Sequence, residues 1–161
     1  MKNIILMLAL MLTLTANMAK ADDFSDGLEA YNNGDYRTAL GLWKPLAASD
    51  HAIAQYSLGV MYDIGDGVLQ DDKEAAKWYR MAAEQGLAQA QFNLGNMYAN
   101  VYGLLQDHKR AHMWWNISRS NGENENAGDN IEIISRIMSP SDISKAQDMA
   151  RKCVYSGYQD C

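Results

Sequence analysis

The chain repeats itself at a fixed spacing of 36 residues. Residues 52–55, Ala-Ile-Ala-Gln, return at 88–91 as Ala-Gln-Ala-Gln, and Leu58-Gly59 returns as Leu94-Gly95. In the same register, identical residues follow at Met61-Tyr62, Gly67, Leu69-Gln70-Asp71, Lys73, Ala75, Trp78 and Gly86. A unit of this length cannot bury its own apolar face, so neighbouring copies must stack against each other.

Each copy has the pattern of two helices joined by a loop. In the first helix, Ala54, Leu58 and Met61 lie at i, i+4 and i+7, the spacing of one apolar helical face. Gly65 and Gly67 then interrupt the helix. The second helix has a predicted N-cap at Asp71, a buried face that includes Ala75, Trp78, Tyr79 and Ala82, and a terminating glycine at Gly86.

A shorter copy of the same plan precedes these two, with Gly34-Asp35-Tyr36 as its turn. Near the C-terminus, Ser139-Pro140 opens a final helix that we expect to end at about Lys152. The segment 121–130 is rich in Asn, Gly and Glu and indicates a loop or a frayed helix start. The sequence therefore predicts an all-α fold, a right-handed α-solenoid of about two and a half helix–turn–helix repeats with C-terminal capping helices.

These residues resemble the Sel-one-like repeats, relatives of the tetratricopeptide repeat. The family pattern is small-x-small, Leu-Gly-x-x-Tyr, a Gly-x-Gly-Val loop, an Asp, Ala-x-x-Trp-Tyr and a closing Gly. Residues 52–87 match nearly throughout, whereas 88–122 depart at Val101, Trp115 and Ser118-Arg119, as expected of a last repeat that meets a different helix. On this division, 22–51 is an N-terminal tetratricopeptide-like half repeat and 123–161 holds the capping helices and tail.

The resemblance implies a scaffold or adaptor that binds other proteins and is not an enzyme. Two alternatives stay open at this point. Some exported relatives are linked to penicillin binding, which implies a cell-wall-related hydrolase or a penicillin-binding activity. The third possibility is a subunit of an envelope assembly whose partner completes the solenoid.

The first 21 residues have the pattern of a cleavable export signal. Lys2 precedes an apolar run from Ile4 to Leu12, too short to span a bilayer, and Ala19-Lys20-Ala21 has the small-x-small form of a cleavage site. Cleavage there removes two of the 14 basic residues and none of the 20 acidic ones, so the formal net charge changes from −6 to −8. We therefore expect a periplasmic or secreted protein that binds neither nucleic acid nor anionic lipid.

Both cysteines, Cys153 and Cys161, lie close to the C-terminus. An even number of cysteines in an exported chain favours a disulfide, and the short closed loop would contribute roughly 2–3 kcal/mol. A metal pair and two free thiols are the alternatives, but no supporting ligands are near.

The sequence offers little for catalysis, metals or cofactors. His108 and His112 are spaced at i, i+4, but no third ligand follows, and a solvated helix face is the better interpretation. Asp63 and Asp66 beside the loop glycines lack the bidentate Glu of a calcium loop. We expect no metal, no cofactor and no catalytic residue.

The predicted binding surface for a protein or peptide partner is the concave wall made by the first helices. Their outward positions are paired across the two repeats as Gln55 with Gln91, Tyr56 with Phe92, and Val60 with Asn96. Amide and aromatic side chains of this kind anchor partners without charge. The alternative is that the glutamines serve helix packing and the aromatics fill the core.

The two repeat tryptophans are expected to fill gaps between helix pairs. Truncating Trp78 should cost about 3–5 kcal/mol, and truncating Trp114 should cost less if the last repeat is only partly covered.

Overall fold

A computed structural model describes residues 23–100, 102–122, 125–159 and 161. The predicted export signal lies outside these residues. The described chain is helical and irregular throughout, without strands. Its elements are α1 (23–32), α2 (Tyr36–Ala48), α3 (Ala52–Ile64), α4 (Asp72–Ala83), α5 (Ala88–Asn100), α6 (His108–Asn121), α7 (Glu125–Ser135) and α8 (Pro140–Tyr155).

Local sequence signals set the helix starts. Asp35, Asp71 and Asp107, spaced 36 residues apart, cap α2, α4 and α6, and each carboxylate accepts hydrogen bonds from backbone N–H groups two or three residues ahead. His51 caps α3, where its Nδ1 accepts from the N–H of Ala54 at 3.2 Å. Ser139 caps α8 as predicted. These side chains satisfy donors that a helix start leaves without partners.

Each of the first three helix pairs is closed by an aromatic ring that lies against a glycine. A Cβ on Gly59 would lie 2.6 Å from the Tyr79 ring, and one on Gly95 would lie 2.6 Å from the Trp115 ring. Gly27 and Trp43 make the same contact in the first pair. Since any side chain on the glycine would displace the ring, these positions hold the two helices of a pair close together.

Consecutive helices pack side by side, α2 on α3, α3 on α4, α4 on α5 and α5 on α6, and the last repeat is covered by α7 and α8. Trp114 is fully buried, whereas Trp78 is only half-buried. The expectation that Trp78 is the more deeply buried tryptophan is wrong, because α6, which carries Trp114, packs against α5, α7 and α8, whereas α4, which carries Trp78, packs against α3 and α5.

Gln55 is completely buried, so the prediction that it faces outward is wrong. Its Nε2 donates to the carbonyl of Ala47 at 3.0 Å, and its Oε1 accepts from Nε2 of Gln85 at 2.7 Å. The side chain of Gln55 thus links the C-terminal end of α2 to Gln85, which follows α4. The packing alternative is the correct one for this residue.

Gln91 repeats this arrangement one unit later and is equally buried, against the same prediction. It donates to the carbonyl of Ala83 at 3.0 Å and accepts from Nδ2 of Asn121 at 3.0 Å. Asn121 also donates to the hydroxyl of Tyr158 at 2.8 Å. The glutamine ladder, Gln55 and Gln91 with these partners, fixes the stacking of successive helix pairs.

Replacing Gln91 by Leu is expected to lower the free energy of unfolding by about 1–3 kcal/mol, because the variant loses the two buried hydrogen bonds that Gln91 makes with the carbonyl of Ala83 and the amide of Asn121. Urea denaturation measures the change. Gln89→Leu is the matched control, an exposed glutamine on the same helix, with an expected change within about 0.5 kcal/mol. Equal effects of the two variants would contradict the ladder.

The C-terminal segment folds back onto the repeats. Cys153 and Cys161 form the predicted disulfide, with 4.8 Å between their Cα atoms. Within the loop that it closes, the ring of Tyr158 lies beside Gly86 at the end of the first full repeat. Helix α7 begins at Glu125, inside the segment in which the sequence indicated a loop or a frayed start.

Candidate functional site

Four of the six predicted partner-binding residues remain accessible. Tyr56 and Val60 on α3, with Phe92 and Asn96 on α5, are half-buried on one side of the first helices. We call these four residues the first-helix wall. The side chains of Tyr56, Val60 and Phe92 also pack against the core beneath them, so they are held in fixed positions.

Tyr56 illustrates how the wall is held. Its ring centroid lies 5.7 Å from that of Tyr79, and burial raises the pKa of its hydroxyl. A hydrogen bond from Asn93 acts in the opposite direction, and the charge of Asp63 raises the pKa further. The hydroxyl is therefore neutral at physiological pH, suited to hydrogen bonding and not to proton transfer.

Asn96 connects the wall to the two helices that follow. Its Oδ1 accepts from Nε1 of Trp115 at 3.1 Å and from Nδ2 of Asn130 at 3.2 Å. These contacts bring α5, α6 and α7 together at one point. The amide of Asn96 is thus pre-oriented and half-exposed.

A cleft of about 300 Å³ opens beside Asn96. Its walls combine amide side chains with apolar ones from α7 and the turn after it, where Ile133 and Ile137 are 62% and 70% exposed. The remaining lining residues are Ala99, Asn100, Gln106, His108, Trp115, Asn130 and Ile134. Side-chain amides can pair with the backbone of an extended peptide, and the isoleucines can cover an apolar side chain of that peptide.

Sequence reasoning missed the contribution of α7 to this cleft. The 36-residue repeat ends before α7 begins. The repeat alignment therefore could not predict that residues of α7 lie next to the first-helix wall. The available signal was the i, i+4 spacing of Ile133 and Ile137.

The carboxylates considered for calcium have structural partners. The hydroxyl of Tyr79 donates to Asp63 at 3.0 Å, and that of Tyr31 donates to Asp66 at 2.7 Å. The second bond, together with burial, raises the pKa of Tyr31 to about 12. Among the residues described, no three His, Cys, Asp or Glu side chains are placed to share a metal ion.

His112 does not lie on a solvated helix face, and that interpretation is wrong for this residue. It is 1% exposed, and its Nδ1 lies 2.8 Å from Nδ2 of Asn116. Burial lowers the pKa of its imidazole, which is therefore neutral at physiological pH. His108 is half-buried and lines the cleft instead.

Stacked helix pairs, recurring caps and the glutamine ladder define this chain as an α-solenoid repeat protein. The Sel1 repeat family matches residues 52–87 and 88–123, so the chain contains two Sel1 repeats.

Solved structures confirm the fold class. A protective antigen present in uropathogenic Escherichia coli strains, which displays an SLR fold, superposes with a TM-score of 0.80 at 25% identity. The match covers 86% of this chain and 31% of the antigen. A Sel1 repeat protein from Oxalobacter formigenes gives a TM-score of 0.62 at 32% identity and covers 67% of this chain and 44% of that protein.

Two curated relatives match part of the chain. An exopolysaccharide production negative regulator from Rhizobium leguminosarum bv. viciae is 41% identical over 66 residues, and one from Rhizobium meliloti is 36% identical over 64. These matches cover 41% and 40% of this chain, and the chain spans about a quarter of the length of each regulator. In the part of the chain with described structure, no helix is long and apolar enough to cross a membrane.

Proposed function

We propose that this protein is an exported scaffold that binds a protein partner through the first-helix wall and the cleft beside it. The observation that carries the proposal is the exposure of Ile133 and Ile137 next to the fixed amides of Asn96 and Asn130. Single exposed apolar residues are common on proteins, but an apolar pair beside oriented amides has the composition of a peptide-binding groove.

Export is supported by the pattern of residues 2–21 and by the disulfide. Disulfides persist in the periplasm and outside the cell, whereas cytosolic thiols are kept reduced. The Cys153–Cys161 bond therefore agrees with a periplasmic or secreted location.

The named relatives support a regulatory scaffold over an enzyme. Both are named as negative regulators of exopolysaccharide production. The cell-wall hydrolase and penicillin-binding alternatives gain no support from the site, because the polar side chains of Asp63, Asp66 and His112 are engaged in structural hydrogen bonds.

Capture of a partner from a periplasmic fraction tests the proposal. The tagged protein should retain one partner in stoichiometric amount, and Ile133→Asp should reduce that capture at least tenfold by placing a charge in the cleft. Because Ile133 is exposed, the melting temperature should stay within about 2 °C of wild type, which a thermal melt by circular dichroism checks.

Val154→Asp is the matched control. It introduces the same charge at an apolar residue that is 46% exposed, on α8 instead of α7. Normal capture by Ile133→Asp, or equal loss in both variants, would rule out the cleft as the binding site.

A further inference from the structure

Two arginines from different helices converge on one buried tyrosine. Tyr98 comes from α5 and is 4% exposed. Its hydroxyl oxygen accepts from Nη2 of Arg80 on α4 at 2.6 Å and from Nη1 of Arg110 on α6 at 3.1 Å. Both guanidinium carbons also lie within 6 Å of its ring centroid, at 5.8 Å for Arg80 and 5.5 Å for Arg110.

The positive charge at this point is only partly compensated. Among the residues described, no carboxylate lies within ion-pair distance of Arg80. Arg110 has Asp107, whose Oδ2 is 3.7 Å from its Nε, while the other oxygen of that carboxylate caps α6. Two like charges are thus held together with one carboxylate, which leaves about one net positive charge in a chain that is acidic as a whole.

Hydrogen-bonding capacity also remains. The oxygen of Tyr98 accepts from both guanidinium groups, and its own hydroxyl proton has no acceptor in the described part of the chain. Each guanidinium carries five N–H donors in a planar fork. Arg110 is 46% exposed, so a ligand from solvent can reach the cluster.

The first repeat lacks this cluster at the equivalent positions. The residues 36 positions earlier in the sequence than Tyr98, Arg80 and Arg110 are Tyr62, Lys44 and Glu74. One cation and one anion replace the two arginines there, so these positions add no net charge. The excess positive charge is therefore specific to the second repeat and is not a requirement of the fold.

We propose that Arg80, Tyr98 and Arg110 form a binding site for the carboxylate group of an acidic ligand. A carboxylate accepts bidentate hydrogen bonds from guanidinium groups and can take the free proton of the phenol. Its single negative charge balances the single excess positive charge, whereas phosphate would bring more. The site is built by α4, α5 and α6, shares no residue with the first-helix wall, and does not depend on the function proposed for that wall.

Nuclear magnetic resonance titration of the isotope-labelled protein tests this site. The probes are sodium acetate, for an acidic protein side chain, and sodium glucuronate, for an acidic sugar, each at constant ionic strength set with sodium chloride. Saturable shifts at the resonances of Arg80, Tyr98 and Arg110 with either probe are expected, and the tighter probe indicates the source of the carboxylate. Inorganic phosphate should bind more weakly.

Variants separate the site from general charge effects. Arg80→Gln should weaken binding about tenfold, the loss of one charge-assisted hydrogen bond. Tyr98→Phe removes only the hydroxyl and should weaken it roughly threefold. Arg136→Gln removes the same charge from an exposed residue in the turn after α7 and should leave binding unchanged.

The proposal is overturned if shifts do not saturate, if phosphate binds more tightly than both carboxylates, or if Arg136→Gln weakens binding as much as Arg80→Gln. Should Arg80→Gln fail to fold, the Tyr98→Phe titration decides, and unchanged affinity in that variant would overturn the proposal.

Discussion

Replacing Trp114 by Ala is expected to lower the free energy of unfolding by about 3–5 kcal/mol, more than the same change at Trp78. Trp114 is fully buried on α6, which packs against α5, α7 and α8, so the vacated space cannot collapse easily or fill with water. At the half-buried Trp78, solvent and neighbouring side chains can occupy part of the space that is left. Chemical denaturation monitored by far-ultraviolet circular dichroism measures both changes.

Trp114→Phe is the control variant, because it keeps an aromatic ring at this position and removes the indole N–H. The indole N–H of Trp114 is buried and has no hydrogen-bond partner among the described residues, so its loss should remove no favourable contact. We expect a cost of at most about 1.5 kcal/mol for this variant. A larger cost for Trp78→Ala than for Trp114→Ala would contradict the deeper burial of Trp114.

Replacing Gly103 by Ala is expected to cost about 2–4 kcal/mol, from two sources that add. The backbone at Gly103 has φ of 66°, a left-handed conformation that costs a residue with a side chain about 1–2 kcal/mol. In addition, a Cβ at this position would overlap the carbonyl of Asp72 at the start of α4. Because backbone atoms cannot rotate away, the loop of the second repeat would have to separate from the first.

Gly34→Ala isolates the first of these costs. Gly34 has φ of 79°, and nothing lies within 4 Å of a Cβ built on it. Its replacement should cost only about 1–2 kcal/mol, measured by the same denaturation experiment. Equal costs at Gly34 and Gly103 would indicate that the loop of the second repeat does not pack on α4.

Much of the fold could be predicted because its signals are local. The caps at Asp71 and Ser139 need only their own next turn, and Gly65 and Gly86 adopt positive φ where the repeat pattern required a helix to end. The disulfide followed from two cysteines eight residues apart. The candidate site was predicted less well, since only four of its six proposed residues reach the surface.

By itself, the sequence determined the helical class, the 36-residue unit, the helix caps and the stacking of units, because periodicity and capping depend on residues close together in the chain. Only the tertiary structure decided that the buried face of each first helix extends to its glutamine. From the sequence alone, Gln55 and Gln91 are expected at the surface because they are polar. In the fold, the carbonyls of Ala47 and Ala83 accept hydrogen bonds from them, which makes their burial favourable. The burial of Trp114 and the meeting of Arg80 with Arg110 at Tyr98 likewise depend on tertiary contacts, because distant segments must dock before either environment exists.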